Sequence, residues 1–204
     1  MTRHSVVSIR RFGVLFCLSM VFLFADYGNA FARTQSLREA IAGVVDAYQS
    51  RDSVRLNRFV HPKHGVIVLY REGVFNLFAT VSKIDFDHPV PDYFAYPRIT
   101  SRANLRYARL PVYNCERNAW SKTGLFCDPS HRDALLSTTA INLRDYRGDG
   151  ITLQTIGRFR ALEAKSVRVV LVDPKGTDFV FYLTKFGSRW YLTVLDRVSS
   201  DCSA

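Results

Sequence analysis

The chain has 204 residues, of which 28 are Lys or Arg and 18 are Asp or Glu, so its formal charge at pH 7 is +10. Its composition is 48% hydrophobic and 13% aromatic. This excludes collagen-like, low-complexity and intrinsically disordered classes, because such a chain can bury enough apolar surface to offset its ordering entropy. The length predicts a single domain.

Residues 1–32 have the three parts of a secretory signal peptide. The chain opens with three arginines and no acid, continues with an uncharged apolar run over residues 12–25, and reaches Ala30-Phe31-Ala32, a small-x-small cleavage pattern. The apolar run is shorter than the roughly 20 residues that a membrane-spanning helix requires. We therefore expect cleavage after Ala32, an exported protein in the periplasm or outside the cell, and no transmembrane segment in the remainder.

Cleavage would change the charge that the mature protein carries. It would remove three arginines and one aspartate, which lowers the formal charge from +10 to +8 on 172 residues. Most of the remaining bases are interspersed with acids. The charge therefore predicts the sign of a partner but not its identity. Export argues against nucleic acid, because envelope polyanions are more accessible to an exported protein.

The first part of the mature chain predicts two helices and a strand. A capping box and apolar residues at helical spacing predict a helix over residues 36–49. Asp52-Ser53 is the start signal of a second helix, which Pro62 ends. Residues 65–70, GVIVLY, predict a buried strand, and residues 74–81 predict either a second strand or a short helix.

Residues 83–131 differ from the rest of the chain. They contain several prolines, two cysteines and several aromatic residues, but no long hydrophobic period. We predict a largely irregular insertion that a disulfide staples. Ser130 is the expected N-cap of the next helix, and apolar spacing favours a further helix over residues 151–164.

Three β-rich runs follow, over residues 166–173, 178–184 and 189–196. The turns between them predict a three-stranded antiparallel meander. The whole order predicts an α+β domain over residues 33–204, in which an N-terminal helix pair packs on a curved antiparallel sheet.

Two stretches resemble the nuclear transport factor two-like superfamily. Residues 36–70 run from an amphipathic helix through YQSRDSVRLNRFVHP to an apolar strand, and residues 166–196 end in GSRWYLTVLD. The resemblance implies a cone of curved sheet and packed helices around a cavity. It also implies a choice among isomerases, dehydratases and non-catalytic binding modules, which share this fold and which the fold alone does not separate.

Three cysteines follow the signal peptide, namely Cys115, Cys127 and Cys202. In an exported protein we expect one disulfide and one remaining thiol. Pairing of Cys115 with Cys127 closes the shorter loop and is entropically easier. Pairing of Cys115 with Cys202 would instead staple the C-terminus, and the spacing leaves both pairings open.

His61, His64, Asp85 and His88 form the densest set of potential metal ligands. If their two segments met, two imidazoles and a carboxylate could hold zinc with an open position. The helical spacing of H-E-x-x-H is absent, and Pro62 prevents a helix there. We therefore expect no metal and no other cofactor.

An enzyme of this fold would require a carboxylate or histidine that faces an apolar cavity and has a raised pKa. The polar residues that could serve are Asp46, Asp85, Asp87 and His88. The helix register points Asp46 away from the apolar stripe, which favours an exposed position. Cys127 and His131 could form a nucleophile pair, but an oxidising compartment favours Cys127 as half of a disulfide.

Arginines are concentrated in one stretch without acids, at Arg98, Arg102, Arg106 and Arg109. If residues 101–110 are helical, the last three lie along one face and could contact phosphate, sulfate or carboxylate groups. Basic residues among aromatics also suit single-stranded nucleic acid. No recognised nucleic-acid motif accompanies them, so a solvated positive face is the favoured interpretation.

We therefore predict an exported, non-catalytic binding or interaction module that encloses an apolar cavity, with the 83–131 segment covering its mouth or one edge. One alternative is an isomerase, dehydratase or hydrolase that acts on a small molecule through a buried carboxylate or histidine. The other is a basic surface that docks on anionic envelope glycans or lipids. The expected partner is a small ligand or an envelope component.

Overall fold

The computed structural model describes residues 34–202, and the signal peptide predicted over residues 1–32 lies outside them. Within the described range the chain forms four α-helices, one π-helical turn and nine β-strands. None of these helices combines the length and the apolar character that crossing a membrane requires.

The two N-terminal helices begin at the caps that the sequence predicts. Helix α1 spans Leu37–Gln49, and the Ser36 hydroxyl accepts a hydrogen bond from the Glu39 amide at 3.2 Å. The Glu39 carboxylate accepts one from the Ser36 amide at 2.9 Å, which completes the capping box. Helix α2 spans Ser53–Asn57, and its N-cap is Asp52.

The strands, in chain order, are β1 (Val66–Glu72), β2 (Phe75–Val81), β3 (Leu105–Tyr107), β4 (Tyr113–Asn114), β5 (Ala119–Trp120), β6 (Gly124–Cys127), β7 (Ser166–Val172), β8 (Asp178–Phe186) and β9 (Arg189–Asp196). Seven of them form one sheet in the order β2-β1-β9-β8-β7-β6-β3, and β4 and β5 form a separate hairpin. The predicted meander β7-β8-β9 is confirmed. The pairs β1–β9 and β3–β6 are parallel, so the sheet is mixed rather than purely antiparallel.

A tight turn decides between the two predictions for residues 74–81. Gly73 has φ +59°, a left-handed conformation that glycine adopts without steric cost. The chain therefore reverses over Gly73-Val74, and Glu72 pairs with Phe75 at the start of an antiparallel hairpin. Residues 75–81 are consequently a strand.

Helix α1 covers one face of the sheet, which we call the α1 face. Its buried residues are Ala40, Ile41, Val44, Val45, Ala47 and Tyr48. The Tyr48 ring stacks on Phe179 of β8 with centroids 3.7 Å apart, and Phe181 beside it is fully buried. Close-packed side chains fill the space between this helix and the sheet.

The opposite face is covered in two separate parts. The helical elements there are α3 (Leu135–Asn142), a π-helical turn (Leu143–Arg147) and α4 (Leu153–Glu163). Helices α3 and α4 pack on the half of the sheet that contains Ile67 and Val194. An arm, residues 108–123, packs Leu110 and Trp120 on the other half.

The start of α3 differs from the prediction. The Ser130 hydroxyl donates to the Asp128 carboxylate at 2.6 Å and does not cap the helix, which begins after Ala134 without a side-chain cap. The Leu135 amide donates instead to Asp133 Oδ1 at 2.9 Å. The predicted helix over residues 151–164 is confirmed as α4.

The 83–131 segment is largely irregular, as predicted, but it also supplies β3 and β6 to the edge of the main sheet. Arg197, which follows β9, anchors its first part. The buried guanidinium donates to the carbonyls of Val90, Phe94 and Ala95. These bonds fix a stretch that has no regular backbone pairing of its own.

The disulfide joins Cys115 to Cys202, so the pairing that would staple the C-terminus is the one present. The shorter loop to Cys127 does not close, and the assignment of Cys127 as a disulfide half is wrong. Cys127 is a free, buried residue because its place on β6 directs it into the core of the α1 face. Burial raises the pKa of this thiol to about 12, and the Asp128 carboxylate adds to the shift.

Candidate functional site

An open groove of about 550 Å³ lies between α4 and the sheet, on the face opposite α1. Its lining comes from α4 and from Lys165 beyond it, from residues 63–65 and the start of β1, and from parts of β2, β8 and β9. The volume falls within the range of about 300–1,000 Å³ that is typical of small-molecule sites. We call this feature the α4 groove.

The groove exists because α4 has a narrow apolar stripe. Of its eleven residues only Ile156 and Phe159 are buried, whereas α1 buries six of thirteen. A helix with so few apolar contacts cannot seal the sheet beneath it along its full length. The sheet therefore stays open to solvent beside the C-terminal half of α4.

The walls of the groove are mainly apolar. Phe159 of α4 meets Phe78 of β2 in an edge-to-face contact with centroids 5.0 Å apart. Ile67, Leu162 and Phe186 extend the apolar surface on either side. Such a surface favours a ligand that removes it from water.

The hydroxyls of Thr184 on β8 and Thr193 on β9 line the floor, and Ser166 on β7 bonds to Thr184 from outside the lining. Ser166 Oγ and Thr184 Oγ1 are 2.6 Å apart, and Thr184 Oγ1 and Thr193 Oγ1 are 2.7 Å apart. The Ser166 hydroxyl also donates to the Leu162 carbonyl at 2.8 Å. These groups bond to one another, so the floor presents no unsatisfied hydroxyl to a ligand.

A bulge in β9 explains why Thr193 lies here. Tyr182 pairs with Val194, but the next residue, Leu183, pairs with Leu192, so the register slips by one residue. Thr193 is the extra residue of the bulge. Its side chain joins the hydroxyl cluster instead of continuing the strict alternation of faces.

Three basic side chains line the groove, namely Lys63, Arg158 and Lys165, and no carboxylate lines it. Among residues 34–202, none of the three forms an ion pair with an acid. Arg158 Nη2 donates to the Thr155 hydroxyl at 3.1 Å, which holds it on the groove side of α4. The lining of the groove therefore combines apolar walls with three positively charged side chains.

His64 lines the groove, and His61 packs beside it. Their rings are 4.4 Å apart, and both pack against Phe186 at 5.2 Å. His61 Nδ1 accepts hydrogen bonds from the Lys63 and His64 amides at 3.1 and 3.3 Å. Burial, together with His64 and Lys63, lowers the pKa of His61.

The other two predicted metal ligands pair with each other. His88 Nδ1 lies 3.3 Å from Asp85 Oδ2 in an exposed contact. Hydrogen bonds from the Asp87 amide and the His88 ring lower the pKa of Asp85. Within residues 34–202, no three His, Cys, Asp or Glu side chains are grouped as a metal ion would require. The two histidine segments therefore do not combine into the hypothetical zinc site.

The carboxylates considered for catalysis lie away from the α4 groove. Asp46 is exposed, as its helix register predicts, and it forms an ion pair with Arg55. Asp85 and Asp87 lie in the turn that His88 closes. None of these four polar residues, Asp46, Asp85, Asp87 and His88, is among those that line the groove.

The condition under which Arg102, Arg106 and Arg109 would lie along one helical face is not met. All of Arg98, Arg102, Arg106 and Arg109 are exposed, but residues 105–107 are the strand β3, which pairs with β6 in parallel. Successive side chains of a strand alternate between faces. The Arg106 guanidinium accordingly lies over Phe126 at 5.7 Å, while Tyr107 faces Arg38 of α1 at 5.3 Å.

A second polar cluster lies at the seam between the helices and the arm. Arg168 donates to Asp133 Oδ2 at 3.1 Å and to Asp196 Oδ2 at 2.9 Å, and Tyr182 donates to Asp133 at 2.7 Å. Burial would lower the pKa of Arg168, but Tyr182, Asp196 and Asp133 outweigh it and raise that pKa. Because its members bond to one another, this cluster joins β7, β9 and the start of α3 as a structural network.

The groove and its three basic residues were not predicted from the sequence. Lys63, Arg158 and Lys165 are separated along the chain, and each resembles an ordinary surface residue. A signal is present in the strands, where Ser166, Thr184 and Thr193 interrupt otherwise apolar runs. These three buried hydroxyls lie side by side on adjacent strands, and they mark a position where polar groups interrupt the apolar core.

Comparison with known proteins finds no matching family, no matching curated protein and no matching solved structure. The resemblance to the nuclear transport factor two-like superfamily stays a prediction.

Proposed function

We propose that this protein is an exported, non-catalytic binding module whose ligand site is the α4 groove. The observation that carries the proposal is an apolar groove of about 550 Å³, open to solvent, in a protein whose other sheet face packs into a buried hydrophobic core. A groove with apolar walls and a satisfied hydroxyl floor suits the retention of a ligand.

Export is supported by the disulfide between Cys115 and Cys202. Disulfides persist in oxidising compartments and are rare in reducing ones. The N-terminal sequence pattern points in the same direction. An exported binding module would meet its ligand in the periplasm or outside the cell.

A neutral fluorescent dye tests whether the groove binds apolar molecules. Phenylnaphthylamine fluoresces weakly in water and strongly in an apolar site, so we expect its emission to rise when it is mixed with the purified protein. Ala161 is exposed and lines the groove. The variant Ala161→Trp should fill the space and reduce the dye affinity by about tenfold or more.

The matched control is Ala164→Trp, which places the same side chain at the end of the same helix but outside the groove lining. It should leave dye binding within about twofold of the unmodified protein. Equal loss in both variants, or unchanged binding in Ala161→Trp, would contradict the assignment of the groove as the site.

A further inference from the structure

The α4 groove combines two properties that select different parts of one ligand. Phe78, Phe159 and Leu162 form an apolar surface, and Lys63, Arg158 and Lys165 supply positive charge without a lining carboxylate. A neutral apolar ligand would make no use of the three charges. A small inorganic anion would make no use of the apolar surface.

We propose that the α4 groove binds a single-chain anionic amphiphile, with its hydrocarbon chain on the Phe78–Phe159 wall and its carboxylate or phosphate group beside Lys63, Arg158 and Lys165. This inference rests on the proposed function, since it names the ligand class of the same groove. It adds a requirement for negative charge that the proposed function does not contain.

The positions of the three cations support this ligand class. Lys63 lies in the turn before β1, and Lys165 lies between the end of α4 and the start of β7. Arg158 approaches from α4, where its bond to Thr155 limits the directions in which the guanidinium can point. Arg158 and Lys165, at and just after α4, and Lys63, before β1, therefore place positive charge on both sides of the space between the helix and the sheet, where it can attract an anionic group.

The absence of acids from the lining strengthens the charge argument. Lys63, Arg158 and Lys165 are exposed, and none forms an ion pair with a carboxylate within residues 34–202. A bound anion therefore meets no competing acid at the site. Partial burial of the bound anionic group beside Phe159 would strengthen its attraction to the three cations, relative to the same charges in open water.

The hydrocarbon part explains why the groove has both aromatic and aliphatic walls. The Phe78 and Phe159 rings and the Leu162 side chain offer contact to methylene groups along the length of a chain. Each buried methylene contributes about 0.8 kcal/mol to transfer from water, which corresponds to roughly a fourfold change in affinity. The affinity should therefore rise by roughly fourfold with each methylene that is added to the chain and buried in the groove.

The test compares two ligands that share a chain and differ in charge. Dodecanoate and dodecanol are titrated into the purified protein by calorimetry, below the concentrations at which dodecanoate forms micelles. We expect dodecanoate to bind about tenfold more tightly than dodecanol. Added salt should weaken the binding of dodecanoate and leave that of dodecanol unchanged.

Charge reversal locates the anion. The triple variant Lys63→Glu, Arg158→Glu and Lys165→Glu should lower dodecanoate affinity by about tenfold or more and change dodecanol affinity by less than about twofold. The control triple variant is Arg160→Glu, Lys175→Glu and Lys185→Glu. It makes the same change in net charge at exposed residues that do not line the groove, and it should bind both ligands as the unmodified protein does.

The outcomes separate this inference from the proposed function. Equal binding of dodecanol and dodecanoate, with both lost in Ala161→Trp, would overturn the charge requirement and leave the groove as an apolar site. Failure of both ligands to bind a protein that still binds the dye would overturn this inference alone. Failure of both ligands and of the dye would overturn the proposed function as well.

Two other occupants are also distinguished. Binding to vesicles of anionic phospholipid that dodecanoate does not displace would assign the charges to a membrane surface and overturn the inference. A dimer that sedimentation detects and that Ala161→Trp dissociates would assign the groove to a second copy of the chain, with the same consequence.

Discussion

The two faces of the sheet are built from the same strands but covered in different ways. On the α1 face, α1 buries six residues and packs on Phe179 and Phe181, and residues of α2 and of the 83–131 segment join the same continuous core. On the opposite face, helices α3 and α4 together cover one half of the sheet, and the arm covers the other half. The first arrangement gives a closed core, and the second leaves a groove beside α4 and a polar seam at Arg168.

The strand β7 shows how one sequence supplies both faces. In Ser166–Val172 every second residue, beginning with Val167, faces α1 and is apolar. The residues that face the other way are Ser166, Arg168, Val170 and Val172, so their polarity falls from the groove end to the arm. The closed face therefore contributes most to stability, whereas the divided face supplies the candidate site.

The largest expected effect is on the stability of the closed face. Phe181→Ala removes a fully buried ring and should lower the free energy of unfolding by about 3–5 kcal/mol, measured by urea denaturation. Phe78→Ala, at the half-buried groove wall, should cost about 1 kcal/mol because solvent can enter the space. Similar losses at the two positions would contradict the distinction between a filled face and an open one.

The next effect concerns the arm that covers the second half of the divided face. The Cys115–Cys202 disulfide spans 87 residues, so replacing both cysteines with serine should lower the free energy of unfolding by about 2–4 kcal/mol. Dye binding in the α4 groove should stay within about twofold, since neither cysteine lines it.

Urea denaturation with and without a reducing agent measures this effect, and Cys127→Ala serves as the cysteine control. Loss of dye binding in the double serine variant would show that the two halves of the divided face are coupled.

The smallest effect is chemical and tests how tightly the α1 face is closed. Burial raises the pKa of the Cys127 thiol to about 12, so at pH 8 the thiol is protonated in the folded protein and is also shielded from reagents. We expect iodoacetamide to leave Cys127 unmodified in the native protein and to modify it in concentrated urea, as read by mass spectrometry. Rapid modification without urea would show that this face opens readily.

Much of the fold could be predicted because the relevant signals are local. The Ser36 capping box, the Asp52 cap and the C-terminal turns each involve residues only a few positions apart, and the corresponding helices and strands form. The prediction at Ser130 was wrong because the nearby Asp128 takes its hydroxyl as a hydrogen-bond donor. A cap motif and a local turn can use the same residue type, and the sequence does not separate them.

The candidate site residues were harder to predict because proximity between distant segments decides them. The prediction of a helical row for Arg102, Arg106 and Arg109 depended on a local helix, and strand pairing with β6 replaced it. His61 and His64 do lie together, but their partners are Phe186 and each other rather than metal ligands. In both cases contacts with distant segments decided the surroundings of the side chains, and the local sequence does not contain that information.

The sequence by itself determined that the chain has N-terminal helices on a sheet with a C-terminal meander, because periodicity and turn residues act over short distances. It also limited the disulfide to three cysteines. Only the tertiary structure decided which two of them pair, which strands run parallel, and where the sheet stays uncovered. The α4 groove brings together Lys63, Arg158 and Lys165, and no local pattern relates residues that become neighbours only when a helix packs across a folded sheet.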